Sequence, residues 1–178
     1  ITSFEERGQM TFQIGEKVVY PNQGVGTIEN ISSRCFGAQA EPFYLLRLCL
    51  SSMTVMVPFS HVDDVGLRKI TKCREISGVL QYLASGRPCC PHDWKDRFKG
   101  HSDKMRGGSL LGIAEVFKAL LIVQTGKALS FRDKKMLERA RSMLIMETSA
   151  AKSVGEGEAA ALIEKALAKS GLHMPAPL

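Results

Sequence analysis

The stretch Phe12-Gln13-Ile14-Gly15-Glu16-Lys17-Val18-Val19-Tyr20-Pro21-Asn22-Gln23-Gly24-Val25-Gly26 decides how the first part of the chain folds. Val18, Val19 and Tyr20 form a short run of residues that suit a pleated, half-buried surface. Pro21-Asn22-Gln23-Gly24 is a turn, with Gly24 free to take positive φ. Val25 to Ile31 reads as the next strand. Outward from this unit, Phe43–Leu50 reads as a third strand and Met53–Pro58 as a fourth. The Ser51-Ser52 step between them suits a hairpin, although it lacks the glycine that favours such turns. Short strands at this spacing, with almost no helix signal, predict a small, strongly bent barrel or sheet. Its edges and loops are suited to holding a partner protein.

After Val65-Gly66-Leu67-Arg68 the period changes. Ile76, Val79, Leu80 and Leu83 follow the i, i+3, i+4, i+7 spacing of an amphipathic helix that ends near Ser85-Gly86. A second helix is expected from Trp94 to Met105, closed by Gly107-Gly108. Ser109 can cap a third, with Ile113, Val116, Phe117, Leu120 and Leu121 inward and Gly126 at its end. Ser130 with Asp133 resembles a capping box, the Asp standing in for the usual Glu. The fourth helix then buries Met136, Leu137, Ala140, Met143 and Leu144. Glu156 to Lys169 gives a fifth, with Ala159, Leu162, Ile163, Ala166 and Leu167 inward. A frayed tail starts at Met174. The fold class is therefore α+β, a strand-rich part followed by a compact helical bundle.

The 178 residues are enough for one domain or two small ones, and 44% apolar content supports a packed core. No apolar run reaches membrane-spanning length. Residues 1–10 lack the apolar segment of a signal peptide, and Met10 is expected to be the natural initiator. The net charge of +6 is unevenly placed: residues 1–70 hold 6 Lys/Arg against 7 Asp/Glu, residues 71–178 hold 18 against 11. A basic excess confined to one half fits nucleic-acid binding, although solvated Lys-rich helices give the same count.

The five cysteines are Cys35, Cys49, Cys73, Cys89 and Cys90, odd in number and irregularly spaced, which fits reduced cytosolic thiols. Cys89-Cys90-Pro91-His92 looks like half of a metal site, with His101 as the nearest other candidate, but a further ligand is missing. Neither a metal nor any other cofactor is expected. Gly24-Val25-Gly26 lacks the third glycine and following helix of a phosphate loop. No HExxH, GxSxG or paired-carboxylate motif appears, and no enzymatic activity is expected. A thiol enzyme or sensor using Cys89-Cys90 is the contrary reading.

Trp94 is the chain's single tryptophan, with Lys95, Arg97 and Lys99 beside it and Asp93 placed to cap its helix. A lone tryptophan usually anchors a core. An exposed one flanked by cations suits a base or groove of nucleic acid. The fourth helix bears on the choice, because Arg132, Lys134, Lys135, Arg139 and Arg141 crowd its first turns. Cations near a helix start oppose the macrodipole, at about 0.3–1 kcal/mol each. Fold stability alone does not favour that placement, and an anionic partner does.

The opening stretch resembles the signature of the CarD/CdnL family of bacterial transcription regulators. Val65-Gly66-Leu67-Arg68, the Trp94 stretch with Arg97-Phe98, and Ile113-Ala114-Glu115-Val116 resemble it too. Leu129-Ser130-Phe131, Lys134-Lys135-Met136-Leu137 and Ala140-Arg141-Ser142 continue the likeness, which runs in order over residues 12–167. The opening signature also occurs in the polymerase-interacting module of transcription-repair coupling factor, and the appended helical half separates the two. The resemblance implies a Tudor-like N-terminal β-barrel domain over 12–68 that binds the RNA polymerase β subunit. It implies a helical domain over 69–170 that binds promoter DNA at the upstream edge of the bubble. Residues 1–11 are then an extension and 171–178 a flexible tail.

The resemblance also implies the site residues. The residue matching Trp94 wedges into the minor groove and stabilises the open complex, while Arg97, Lys134 and Lys135 match positions on the DNA side. Lys99 and Arg132 are expected to join them on the phosphate backbone. Arg34 matches a basic residue on the polymerase side, and Met56 stands where some members have arginine, so that contact is apolar here or absent. Asp96 stands where many members carry a basic residue. A cytoplasmic monomer is expected. An adaptor on RNA polymerase without direct DNA contact is the alternative. Taken together, these features place the Trp94 ring at least partly in solvent and give Phe98 the core role.

Overall fold

The computed structural model describes residues 11–89 and 93–177. The expectations for Met10, Cys90 and His92 fall outside the described residues. The first part is a five-stranded antiparallel sheet: β1 Lys17–Tyr20, β2 Gly24–Phe36, β3 Gln39–Leu48, β4 Thr54–Pro58 and β5 Arg68–Lys69, in the order β4-β3-β2-β1-β5. Alternation along β3 turns Tyr44, Leu46 and Leu48 inward, where they meet Phe12, Val18, Ile28, Val57, Val62 and Leu67. Phe12 meets the Tyr44 ring edge-on at 5.6 Å, and Phe59 stacks on the same ring at 4.3 Å. Such aromatic pairs add about 0.5–1.5 kcal/mol beyond the area they bury.

Three features of the sheet escaped the residue pattern. β2 continues past Ile31 to Phe36, because Ser32–Phe36 pairs with Gln39–Phe43 in a hairpin turned at Gly37, where φ is 70°. Those residues are mostly polar and exposed, so the ladder holds them without an apolar alternation to announce it. A register shift between Ile28 and Asn30 bends the same strand. A single 3-10 turn, Phe59–His61, and a one-turn helix, α1 Val62–Val65, close the sheet at Gly66 (φ 77°). One turn is too short to show a helical period. At the β3–β4 hairpin, Ser52 takes the left-handed conformation (φ 54°) that a glycine would otherwise supply.

The second part has the five expected helices: α2 Cys73–Ser85, α3 Trp94–Gly107, α4 Leu110–Gly126, α5 Phe131–Lys152 and α6 Glu156–Ala168. α4 is buried through most of its length, with α2, α3 and α5 packed on it and α6 against α2 and α5. Ser109 accepts the Gly112 N–H at 3.0 Å, as a cap should. Ser130 accepts the Asp133 N–H at 3.2 Å. Asp133, one methylene shorter than Glu, takes a hydrogen bond from the Ser130 hydroxyl at 3.0 Å. Lys118 is buried on α4, and its ammonium donates to the Tyr82 and Leu83 carbonyls at 3.1 and 2.8 Å, closing the C-terminus of α2. Burial pushes the Lys118 ammonium below its ordinary range. Met174, expected in the frayed tail, is held: its N–H donates to Glu164 at 2.6 Å and its side chain packs on the helical core.

The two parts meet along α5. The Arg68 guanidinium forks onto Glu147 of α5 with bonds of 2.7 and 2.9 Å, and its Nε donates to the Gly108 carbonyl at 2.5 Å. Thr71 gives the same carboxylate its N–H at 3.0 Å and its hydroxyl at 2.6 Å. Glu147 is only 2% exposed. The Pro21–Gly24 turn fills the seam beside this lock. A β-carbon on Gly108 would stand 3.4 Å from Pro21, and one on Gly24 (φ 87°) would stand 3.2 Å from Leu50 and 3.5 Å from Met143. Removing one partner of an enclosed ion pair strands the other charge. Arg68→Ala is expected to lower unfolding free energy by about 3–5 kcal/mol in urea titration. Lys69→Ala, which breaks the exposed 3.6 Å pair with Glu16, should cost no more than about 1 kcal/mol.

Candidate nucleic-acid interface

Asp93 starts α3 by accepting the Lys95 N–H at 3.0 Å, which makes Trp94 the first helical residue. Side chains at a helix start lean beyond its end. The indole is 59% exposed, and Lys95 Nζ lies 5.7 Å from the ring centroid. Trp94 is therefore not a core anchor. Phe98 does not inherit that role either. It is half-buried, outside the helical core, with the Arg132 guanidinium 5.8 Å over its ring. The reason is its neighbour: Phe98 faces the first turns of α5, which present arginine and lysine rather than apolar side chains. His101 and Met105 are the α3 side chains that reach full burial.

α5 begins in the same way. Ser130 caps it, and Phe131, the first helical residue, is 72% exposed with Lys135 Nζ 4.6 Å from the ring centroid. Phe131 was not singled out from the sequence. Its one signal was an aromatic directly after a cap, at the head of a basic helix, and that pattern also fits a core residue. Each helix thus offers an exposed aromatic and a cation at its N-terminus, the end where free N–H groups and the helix dipole favour anions.

Arg132, Lys135 and Arg139 share one face of α5 and line a cavity of about 410 Å³ against α3, with Phe98, Met105 and Arg106 opposite. Lys99 and Lys134 are exposed on the same two helices but do not line it. Arg97 is half-buried and close enough to act on His101.

Five of the described cations are held in salt bridges, while these on α3 and α5 lack one, as do others such as Lys17, Arg34, Lys72 and Arg74. Arg47 pairs with Glu29, Arg68 with Glu147, Lys69 with Glu16, Lys104 with Glu115 and Arg141 with Glu138. Among the described residues, Lys95, Arg97, Lys99, Arg132, Lys134, Lys135 and Arg139 make no salt bridge. Charge left unneutralised on one face is an electrostatic footprint for an anionic partner.

The polymerase-side candidates lie elsewhere. Arg34 on β2 faces Glu41 on β3, and Met56 on β4 faces Leu45 on β3. Glu41 and Leu45 are four apart, so Arg34 and Met56 occupy the same, outward face of the sheet. Both are exposed, Met56 by 47%, and β4 ends the sheet on the side away from β5. Among the described residues, no three His, Cys, Asp or Glu side chains gather as metal ligands. No helix among them is long and apolar enough to cross a membrane.

Residues 12–71 match the family description "CarD-like/TRCF RID domain", and residues 78–164 match "CarD, C-terminal domain". YdeB of Bacillus subtilis (strain 168), named as a candidate transcription factor, is 34% identical over 145 residues, which cover 82% of this chain and 95% of YdeB. The chain belongs to the CarD/CdnL family. A solved structure, "CdnLNt from Myxoccoccus xanthus", is 40% identical over 36% of this chain and 92% of its own, with a TM-score of 0.30. As a member of the CarD/CdnL family of transcription factors, the chain carries an RNA polymerase-interacting domain in its sheet part.

His101 sits beneath the interface, 5% exposed, with Nδ1 lacking a hydrogen-bond partner among the described residues. Burial lowers its pKa below the ordinary 6.5, Arg97 and Lys104 add to the effect, and Asp133 opposes it. The unfolded chain therefore binds the imidazole proton more readily than the folded one. Stability is full above about pH 6.5 and falls as pH drops below that value. Urea midpoints at pH 7.5 and 5.5 should differ for the native chain and differ less for His101→Gln.

Proposed function

We propose that this CarD/CdnL protein holds the RNA polymerase β subunit with its sheet and promoter DNA, at the upstream edge of the bubble, with its helices. Trp94 acts as a minor-groove wedge that stabilises the open complex. The observation that carries this reading is the exposed indole at the head of α3, set among cations with no carboxylate partner. An exposed tryptophan leaves a large apolar area in water, which core packing would not. Inserting it between base pairs costs a few kcal/mol of unstacking on intact duplex, and less where the strands already part. The ring then interacts differently with the closed and open states, which is what shifts an equilibrium between them.

Arg97, Lys99, Arg132, Lys134 and Lys135 supply phosphate contacts, which give affinity without sequence reading. Phe131 joins them as a second aromatic on the same face. Arg34 and Met56 hold the β subunit through the outward face of the sheet, beside the β4 edge. Tethering on polymerase raises the effective concentration of α3 and α5 at the promoter, so weak DNA binding suffices. The protein works as a Tudor-like domain joined to a helical one, acts as a cytoplasmic monomer and catalyses no reaction.

The two halves of this reading separate experimentally. Trp94→Ala should keep polymerase binding and shorten open-complex lifetime about tenfold, the effect of one lost stacking contact of roughly 1–3 kcal/mol. An unchanged lifetime would remove the wedge. Arg34→Glu should do the reverse, reducing capture of a β-subunit fragment while leaving DNA affinity alone.

Salt dependence tests the phosphate contacts. The logarithm of DNA affinity should fall linearly with the logarithm of salt concentration, and Lys135→Ala should reduce that slope by about 1. Affinity that ignores salt, or none at low salt, would favour the adaptor without DNA contact.

A further inference from the structure

The cavity between α3 and α5 has a composition that phosphate binding alone does not explain. The buried Met105 and the half-buried Phe98, Ser102 and Met136 line it, while the exposed Arg106, Arg132, Lys135 and Arg139 make up a charged rim. Phosphate contacts need cations on an open surface, not an apolar recess between them. At about 410 Å³ the recess falls within the range of roughly 300–1,000 Å³ typical of ligand pockets. None of the four rim cations is paired with a carboxylate among the described residues. The sheet domain closes one end. Asn22, on the Pro21–Gly24 turn, reaches the cavity, and its Oδ1 lies 3.5 Å from Arg139 Nη1. A neighbouring hollow shares Asn22, Lys135 and Arg139 and continues to Leu50 and Ser51 of the β3–β4 hairpin.

We infer that this cavity is a nucleotide pocket, taking one unstacked base together with its phosphate. The inference rests on the DNA-binding reading above and extends it from the duplex to a separated strand. Each part of a nucleotide has a counterpart. An aromatic base needs a flat or polarisable apolar surface, which Phe98 and Met136 give, with Met105 behind them. The Arg132 guanidinium lies 5.8 Å from the Phe98 ring centroid, and an arginine so placed is within reach of a base entering beside that ring. The phosphate needs cations, which the rim gives. Asn22 adds an amide able to donate to and accept from a base edge. Trp94 and Phe98 are four residues apart on α3, a rise of about 6 Å. A strand parted at Trp94 therefore reaches the pocket within one or two nucleotides.

The pocket is tested with the full chain and a forked DNA carrying 2-aminopurine at the first, second or third unpaired position. Anisotropy of a remote dye reports binding, and 2-aminopurine emission reports the base. The expected result is tighter binding to the fork than to blunt duplex, and a change in emission confined to one position. Phe98→Leu keeps the side chain apolar and should reduce the fork preference about tenfold, with duplex affinity little changed. Because Trp94 also favours a fork, the Phe98→Leu comparison is repeated in Trp94→Ala, where the Phe98 effect should persist. Millimolar dAMP separates the sources: displacement of the emission change by dAMP shows that the free nucleotide fits the same pocket, and saturable binding of dAMP alone would assign the pocket to free nucleotides. DNA binding with no emission change at any position, and none with dAMP, would overturn the pocket and leave the duplex reading intact. Absence of binding to any DNA and to dAMP would overturn both.

Discussion

The rest of the structure depends on one enclosed carboxylate. Glu147 takes both arms of Arg68 and the N–H and hydroxyl of Thr71, and Arg68 also donates to the Gly108 and Lys69 carbonyls. These groups come from the last strand, the linker after it, the end of α3 and the middle of α5. Burying such a pair adds little net stability compared with apolar residues of the same volume, but a half-made one is costly. Any other arrangement of the two parts leaves Glu147 without its donors. The lock therefore acts mainly on geometry, fixing where α3 and α5 stand relative to the sheet.

That geometry carries the function. A domain held on polymerase positions Trp94 only as well as the connection between the parts is fixed. The seam is tight as well as polar. Pro21 lies against Gly66 and Gly108, and Gly24 against Leu50 and Met143, with little room for a side chain at these glycines. The Pro21–Gly24 turn, read from sequence as a simple reversal between strands, also serves as packing between domains. Its Asn22, at φ 61°, reaches the cavity that the helices line with cations.

Charge in the helical part divides by what surrounds each group. Lys118 closes α2 and Arg68 closes the seam, while Lys104 and Arg141 have carboxylates beside them. Although Asp93, Asp96 and Asp133 lie at the same helix starts, the cations on the first turns of α3 and α5 make no salt bridge among the described residues. Their electrostatic cost in the free protein comes from opposing the helix dipole and repelling one another. An anion placed among them relieves both. The exposed rings of Trp94 and Phe131 sit at the same helix ends.

Local pattern by itself determined four of the five strands in part, the five long helices, their serine and aspartate caps and the concentration of positive charge in the second half. Each of these is set by neighbours within a few residues: alternation, 3.6-residue spacing, or a side chain bonding the next turn. Trp94 stands out as a lone tryptophan among cations, and the resemblance adds the family and the expectation of a minor-groove wedge. Tertiary structure decided what distance along the chain hides. Phe98 has the spacing of a core residue, and its place outside the core, half-buried, follows from which face of α5 it meets. Nothing in the local sequence marks Glu147, and only the fold brings Arg68, 79 residues away, against it. Phe131 and the cavity belong to the same class, since a ring's burial depends on the packing of separate helices. Spacing gives a residue's face, and only packing gives what that face meets.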